Sequence, residues 1–106
     1  MENITVEQLK ARIDAGEKLH VLDVREPSEY QEYNLGAKLL PLGKIQGMQT
    51  EEIDDWKDQE VIVHCRSGAR SVTASQFLEM QGFTHVVNVL GGALAWREKF
   101  GDAKVN

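Results

Sequence analysis

The sequence predicts an α/β fold in which a central parallel β-sheet is flanked by helices on both faces. Short runs of β-branched and apolar residues, typical of buried strands, alternate along the chain with segments of helical periodicity. Glycine or proline stands at several of the boundaries between them. This alternation favours parallel pairing, because each helix then forms a right-handed crossover between two strands.

The chain begins with a predicted helix and a predicted strand. Thr5 can cap a helix over residues 6–16, Gln8 lies at the position of a capping-box partner, and Gly16 suits the helix end. Residues 19–25 form a short apolar and β-branched run, which predicts a buried strand.

The middle of the chain contains weaker signals. Pro27 fits the first turn of a second helix. Residues 37–42 predict a weak strand at the edge or end of the sheet, because Pro41 cannot donate a backbone hydrogen bond. Residues 40–49 are interpreted as a loop or short turn, and residues 51–56 as a short helix.

The second half of the chain repeats the order of strand and helix twice. Residues 60–65 and 84–90 are predicted strands, and residues 71–82 and 93–100 are the predicted helices that follow them. Two consecutive glycines turn the chain from the second of these strands into the last helix. The apolar face of the first of these helices is expected to comprise Val72, Phe77 and Met80.

The composition is that of an ordinary globular protein, with 42% hydrophobic and 27% charged residues. A chain of 106 residues is close to the usual size of one domain, so residues 1–106 are predicted to form a single domain. The net charge of −5 argues against binding to nucleic acid or to an acidic membrane, because both need a basic face.

The expected location is the cytoplasm. The first residues show no basic start followed by an apolar core, and no apolar run approaches the ~20 residues that span a bilayer. A single cysteine cannot form a disulfide within the chain and suits a reducing compartment. No strong apolar surface stripe is evident, so we expect a monomer or a weak dimer.

Residues 61–71, VIVHCRSGARS, contain the strongest chemical signal. Cys65 ends a strand and precedes a turn in which Gly68 allows successive N–H groups to point inward and bind an anion. The positive end of the next helix, together with Arg66 and Arg70, is expected to lower the pKa of Cys65 well below ~8.5. The resulting thiolate would be a nucleophile. Two alternatives remain: a buried cysteine that only fills space, and a loop that binds phosphate without catalysis.

The spacing and two further motifs carry a resemblance to a known family. Cysteine-dependent phosphatases have five residues between cysteine and arginine, whereas four separate Cys65 from Arg70 here. The motifs VLDVREPSEY (21–30) and VVNVLGGALAW (86–96) flank the cysteine loop in the chain. With them, the loop resembles that of the rhodanese family of sulfurtransferases. The segment YNLGA (33–37) departs from the family's usual Gly-His-Ile-Pro-Gly-Ala.

The resemblance implies a sheet of about five strands and a double-displacement reaction. Cys65 would take sulfur from thiosulfate or another small anionic sulfane donor as a persulfide, and pass it to cyanide, a thiol or a protein thiol. No metal or organic cofactor is implied. The loop N–H groups would hold the persulfide anion, and Arg70 would close the loop and with Arg66 attract the donor. The loop residues that would bind substrate are Arg66, Ser67, Gly68, Ala69 and Arg70.

Several residues near the loop have two readings. Asp23 either orients an arginine or loop amide near the site or only caps a turn, and Arg25 either supports the site or is a solvated charge. His64 is expected to point away from Cys65 and to be a structural histidine with its hydrogen bonds satisfied. Ser71 is expected to cap the following helix.

Two tryptophans lie outside the loop. Trp96 falls at helical spacing and is predicted to be a core residue. Trp56 is interpreted as a half-buried lid element, and the acidic stretch around it as a solvated face or a docking surface for a sulfur-acceptor protein.

Three other functions are weighed against sulfur transfer. A phosphatase or arsenate-reductase-like enzyme is disfavoured by the loop spacing and by the lack of an identifiable acidic residue for protonating the leaving group. A noncatalytic rhodanese-like interaction module is disfavoured because such modules typically lack the cysteine. Redox sensing through a sulfenic acid would need an external thiol, because the chain has no second cysteine.

Overall fold

The computed structural model describes residues 1–106, and its centre is one parallel sheet of five strands in the order β1-β5-β4-β2-β3. The α/β fold with a parallel sheet, predicted from the alternation of elements, is confirmed. The strands are β1 (Glu2–Ile4), β2 (His20–Asp23), β3 (Lys38–Leu39), β4 (Glu60–His64) and β5 (His85–Val89).

The helices cover both faces of this sheet. Helices α3 and α4 and a 3₁₀ turn cover one face, and α1 and α5 cover the other. None of the helices has the length and apolar character that a bilayer crossing requires. The helices are α1 (Val6–Asp14), α2 (Pro27–Glu32), α3 (Leu42–Gln46), α4 (Ala69–Met80) and α5 (Gly92–Phe100), and the 3₁₀ turn is Glu51–Trp56.

The central strand β4 is buried on both faces, which explains its run of apolar residues. Val61, Val63 and Cys65 contribute to the core beneath α4, whereas Ile62 contributes to the core beneath α5. Alternation along the chain therefore directs Cys65 toward α4 and His64 toward the opposite face.

Several local predictions are confirmed. The Thr5 hydroxyl accepts the Gln8 N–H at 3.1 Å and the Gln8 side chain accepts the Thr5 N–H at 2.8 Å, which completes the capping box. Pro27 occupies the first position of α2, and β3 is a short edge strand. Trp96 is fully buried.

The structure differs from the sequence predictions at three points. The short β1 was not predicted, because its three residues carry almost no apolar pattern. Residues 40–49 contain the helix α3 rather than only a loop, whereas residues 51–56 form the predicted short helix, which is of the 3₁₀ type. Met80 was wrongly assigned to the apolar face of α4, since it is 79% exposed.

Helix α4 packs through small residues. Its buried positions are Ser71, Ala74, Ser75 and Leu78, whereas Val72 and Phe77 are only partly buried. Small side chains allow the helix to lie close to the sheet, so the predicted stripe of large apolar residues does not mark the buried face.

The atypical segment at residues 33–37 is fixed by the end of the chain. The Tyr33 hydroxyl donates to the Gly101 carbonyl at 2.6 Å, and the Val105 N–H donates to the Leu35 carbonyl at 2.8 Å. These contacts close the turn between α2 and β3, in a segment that contains neither histidine nor proline.

Candidate active site

The loop between β4 and α4 bends back over the Cys65 sulfur. Cys65 follows the last residue of β4, and α4 begins at Ala69, two residues earlier than predicted. Gly68 has φ of 125°, a conformation that other residues rarely adopt, and its N–H points to the Cys65 Sγ at 3.1 Å. The predicted inward-pointing N–H turn is therefore centred on the sulfur itself.

Opposing effects act on the Cys65 thiol, and the net result is a lowered pKa. Burial raises the pKa, because the thiol is only 1% exposed and a thiolate is poorly solvated there. Hydrogen bonds from the Ser71 hydroxyl and from the N–H groups of Ser71, Gly68 and Ser67 outweigh burial and favour the thiolate. Cys65 can therefore act as a nucleophile below the usual pH range of a free thiol.

The first turn of α5 clamps the start of the loop. The Ala93 N–H donates to the Cys65 carbonyl at 2.9 Å, and the Leu94 N–H donates to the Arg66 carbonyl at 3.0 Å. Gly92 has φ of 54°, and a Cβ there would overlap the Cys65 carbonyl oxygen and lie 2.7 Å from the Arg66 carbonyl oxygen. The double glycine is thus needed for close approach as well as for the turn.

Arg70 has a partner that the sequence did not reveal. Its guanidinium donates two hydrogen bonds, of 2.6 and 2.8 Å, to the Glu29 carboxylate on α2. The Arg70 hydrogen bond lowers the pKa of Glu29 to about 2, so Glu29 is ionised at neutral pH. Arg70 is expected to close the loop and, with Arg66, to attract the donor; in the structure its charge is paired with Glu29, and this pair fastens the loop to α2.

Asp23 and Arg25 form a buried ion pair beside the loop. The Asp23 carboxylate accepts the Arg25 backbone N–H at 3.0 Å and its guanidinium at 2.8 to 3.2 Å. Arg25 also donates to the Tyr33 carbonyl at 2.7 Å. Asp23 thus orients an arginine, as one reading expected, and makes no hydrogen bond to the Cys65 loop.

Comparison with known proteins identifies the family. The family model of the rhodanese-like domain matches residues 5–99. The chain belongs to the rhodanese family. A Bacillus subtilis relative named "Putative sulfurtransferase YtwF" is 38% identical over 97 residues, which cover 91% of this chain and 90% of the relative. A protein of Allochromatium vinosum named sulfurtransferase is 36% identical and covered over 88% of its length.

A longer relative and two solved structures are also similar to this chain. "Putative sulfur carrier protein YrkF" of Bacillus subtilis is 35% identical, and this chain spans about half (51%) of its length. The crystal structure of a rhodanese-like domain protein from Staphylococcus aureus has 31% identity and a TM-score of 0.77, with 91% of each chain covered. The solution structure of the rhodanese-like domain of Alr3790 from Anabaena has a TM-score of 0.83 at 26% identity, with 95% of this chain and 76% of that chain covered.

His64 of this rhodanese faces away from the nucleophile, as predicted, but its hydrogen bonds are not all satisfied. Nδ1 lies 3.1 Å from the Cys65 carbonyl oxygen, whereas Nε2 is buried without a hydrogen-bond partner, 3.6 Å from an Asp23 oxygen. Burial lowers the pKa of His64, so the ring is neutral at pH 7. The expectation of a fully satisfied histidine was wrong, because the neutral ring donates its one N–H from Nδ1 to the Cys65 carbonyl, and Nε2 then has no hydrogen to donate to Asp23.

Ser71 does not cap α4, because the helix begins two residues earlier and Gly68 is its cap. The Ser71 hydroxyl lies 3.4 Å from the Cys65 sulfur, 3.1 Å from the Gly68 carbonyl oxygen and 2.5 Å from Oδ1 of Asn88. Asn88, a buried polar residue of β5, was not singled out in the sequence. A polar residue within an otherwise apolar strand is the signal that could have identified it.

An open cleft adjoins the rhodanese loop. It has a volume of about 150 Å³ and reaches from Arg66 and Glu29 to Leu94 and Arg97 of α5. Arg66 and Arg97 are exposed, and neither forms an ion pair with a carboxylate. Arg97 instead lies over the Tyr33 ring at 4.7 Å. Sequence reasoning identified Arg66 but not Arg97, which has no motif of its own and depends on the placement of α5.

Proposed function

We propose that this rhodanese is a sulfurtransferase that carries sulfane sulfur on Cys65, from thiosulfate or a small persulfide donor to a thiophilic acceptor. The observation that carries the proposal is the Cys65 sulfur within the loop, 3.1 Å from the Gly68 N–H and with a lowered pKa. Relatives named sulfurtransferase, covered over most of their length, support the same role.

The first half-reaction loads the sulfur. The Cys65 thiolate attacks the outer sulfur of thiosulfate, a new S–S bond forms, and the S–S bond of thiosulfate breaks. Sulfite leaves with the electron pair of that bond, and the negative charge of the enzyme moves to the outer sulfur of Cys65–S–S⁻. No proton transfer is needed when the thiolate is already formed, so His64, on the other face of the sheet, has no role as a base.

The second half-reaction discharges the sulfur. An acceptor such as cyanide, a thiolate or a protein thiolate attacks the outer sulfur, and Cys65 leaves as thiolate. The N–H groups of residues 66–70 are proposed to hold the charge of the persulfide, as the loop N–H groups hold the thiolate before it. Neither half-reaction requires a metal or an organic cofactor.

Binding of the donor is assigned to the cleft. The unpaired charges of Arg66 and Arg97, which line the cleft together with the carboxylates of Glu29 and Glu32, favour a small dianion such as thiosulfate. Ser67, Gly68 and Ala69 lie outside the cleft lining, in the loop that bends over Cys65, and are proposed to contact the outer sulfur of the donor. Arg70 contributes indirectly, because its ion pair with Glu29 holds the end of the loop. A reducing compartment such as the cytoplasm suits this chemistry, since it keeps a lone thiol reduced.

Steady-state kinetics with thiosulfate and cyanide test this function. We expect thiocyanate production with parallel double-reciprocal plots, the pattern of a ping-pong reaction, and none from Cys65→Ser. An aryl phosphate offered to the same proteins should not be hydrolysed. Phosphate release that depends on Cys65, without thiocyanate from thiosulfate, would instead indicate a phosphatase.

A further inference from the structure

The Ser71 hydroxyl beside the nucleophile has one hydrogen and three possible acceptors. A hydroxyl can donate only one hydrogen bond at a time. The Cys65 sulfur, the Gly68 carbonyl oxygen and Oδ1 of Asn88 lie 3.4, 3.1 and 2.5 Å from the Ser71 oxygen. The thiolate therefore competes with a neutral amide for the same hydrogen, and the amide is the nearer acceptor.

The orientation of Asn88 is fixed by a second side chain. Its amide nitrogen donates to Oδ1 of Asn3 on the neighbouring strand β1 at 3.1 Å, which directs Oδ1 of Asn88 toward Ser71. Ser71 and Asn88 are 0% and 1% exposed, so water does not compete for their hydrogen bonds. These contacts form one chain from β1 to the Cys65 sulfur.

We propose that Asn88 is a positioning residue for sulfur transfer: it shares the Ser71 hydrogen with the Cys65 sulfur and takes it when sulfur is loaded. The inference rests on the proposed function, in which the negative charge leaves Sγ as the new S–S bond forms. Sγ then becomes a poor acceptor, and the Ser71 hydroxyl turns to Asn88. The hydrogen returns to Sγ when the acceptor removes the outer sulfur and Cys65 becomes a thiolate again.

Removing the Asn88 oxygen should change the rates of the two half-reactions in opposite directions. Without its competitor, the Ser71 hydroxyl donates more to the thiolate, and the thiolate becomes more stable. A more stable thiolate is a weaker nucleophile and a better leaving group. Loading from thiosulfate at a pH where Cys65 is ionised should therefore slow, and discharge to cyanide should accelerate, each by about twofold. A loss of packing alone would not produce opposite changes.

The first test is independent of sulfur transfer. The thiolate of Cys65 is titrated by the pH dependence of its alkylation in wild type, Asn88→Leu, Ser71→Ala and the double variant. We expect Asn88→Leu to raise the acid dissociation constant of Cys65 about threefold, and to change nothing in the Ser71→Ala background. Asn3→Ala, on the exposed edge strand, should raise the acid dissociation constant of Cys65 by a smaller factor. This variant replaces Asn88→Leu in the test if Asn88→Leu does not fold.

The second test measures loading and discharge separately by rapid mixing. Slower loading with faster discharge in Asn88→Leu supports the proposal. A decreased or unchanged dissociation constant, or an equal effect of Asn88→Leu with and without Ser71, would overturn it. If the titration behaves as expected but no variant loads sulfur, the proposed function fails and the hydrogen-bond competition stands. Loading and discharge slowed together would reduce Asn88 to a structural residue.

Discussion

The guanidinium of Arg70, at the end of the Cys65 loop, forms two hydrogen bonds with the carboxylate of Glu29 on α2. Glu29 precedes Arg70 by 41 positions in the chain, and the pair joins two segments that have no other side-chain hydrogen bond between them. The pair accounts for the charge of Arg70 and leaves Arg66 as the unpaired arginine of the loop.

The pH dependence of stability should reveal this pair. The pKa of Glu29 in the folded protein is about 2, below its ordinary value of 4.5, so the pair stabilises the fold above pH 4.5. That stabilisation is lost as the pH falls toward 2. Glu29→Gln should lower the free energy of unfolding at pH 7 by about 1 kcal/mol, a value reduced for the partial exposure of both side chains.

Urea unfolding of wild type and variant at several pH values measures the difference. Glu32→Gln, which removes an exposed carboxylate without an ion pair on the same helix, should have almost no effect at any pH. A difference between wild type and Glu29→Gln that persists undiminished near pH 2 would contradict the assignment.

The reactivity of Cys65 should depend on Ser71. Wild type is expected to be alkylated with a lowered apparent pKa, because hydrogen bonds to the Cys65 thiolate outweigh its burial. Ser71→Ala should raise this pKa, with a threefold to tenfold decrease, roughly, in the acid dissociation constant. The rate of alkylation by iodoacetamide as a function of pH measures the Cys65 pKa in wild type and in Ser71→Ala.

Ser75→Ala is the matched control for this change. Ser75 is buried on the next turn of α4 and donates to the Ser71 carbonyl at 2.7 Å, without a contact to the sulfur. Ser75→Ala should therefore not change the pH dependence of Cys65 alkylation. Equal shifts in the two variants would indicate a general loosening of α4 instead of a lost hydrogen bond to the thiolate.

The close approach of α5 to the loop predicts an unequal response of two glycines. Gly92 and Gly101 have φ of 54° and 58°, but only at Gly92 would a Cβ meet neighbouring atoms. Gly101→Ala should cost about 1 kcal/mol from its backbone conformation. Gly92→Ala should cost about 2 kcal/mol more, because the added methyl group overlaps the Cys65 and Arg66 carbonyl oxygens.

Chemical denaturation of both variants measures these costs. Loading of sulfur should slow in Gly92→Ala and stay unchanged in Gly101→Ala, since only the former displaces the backbone of the nucleophile. Identical stability and identical rates of sulfur loading in the two variants would contradict the close contact between α5 and the Cys65 loop.

The two unpaired arginines of the cleft should influence donor binding. Arg66→Ala and Arg97→Ala are each expected to raise the KM for thiosulfate, by about threefold to tenfold at low salt. High salt should weaken the effect, because these charges are exposed to screening. Lys18→Ala removes an exposed cation that precedes β2, at the end of the sheet opposite the Cys65 loop, and should not alter KM. An unchanged KM in Arg97→Ala would remove that residue from the donor site.

Much of the fold follows from local signals in the sequence. The capping box at Thr5 and the proline of α2 act within a few residues, and both are read correctly. Strands β2, β4 and β5 are apolar because both faces of the sheet are covered, so their runs are recognisable. The edge strand β1 is stabilised by pairing with β5 rather than by its own residues, and no local pattern marks it.

The candidate site divides in the same way. Cys65 and Gly68 interact within one loop, so their spacing already predicts the inward N–H groups. The partners Glu29 and Asn88 lie 41 and 17 positions from the residues they contact, and only the folded chain brings them together. Contacts between residues of different elements therefore could not be predicted from local sequence patterns.

The intact mass of the purified protein after incubation with thiosulfate tests the central claim most directly. Wild type should gain the mass of one sulfur atom, lose it on addition of cyanide, and release one sulfite for each sulfur gained. Cys65→Ser should gain nothing. A wild-type protein that gains no sulfur from thiosulfate or from a persulfide donor, or a Cys65→Ser protein that gains as much, would contradict sulfur transport on Cys65.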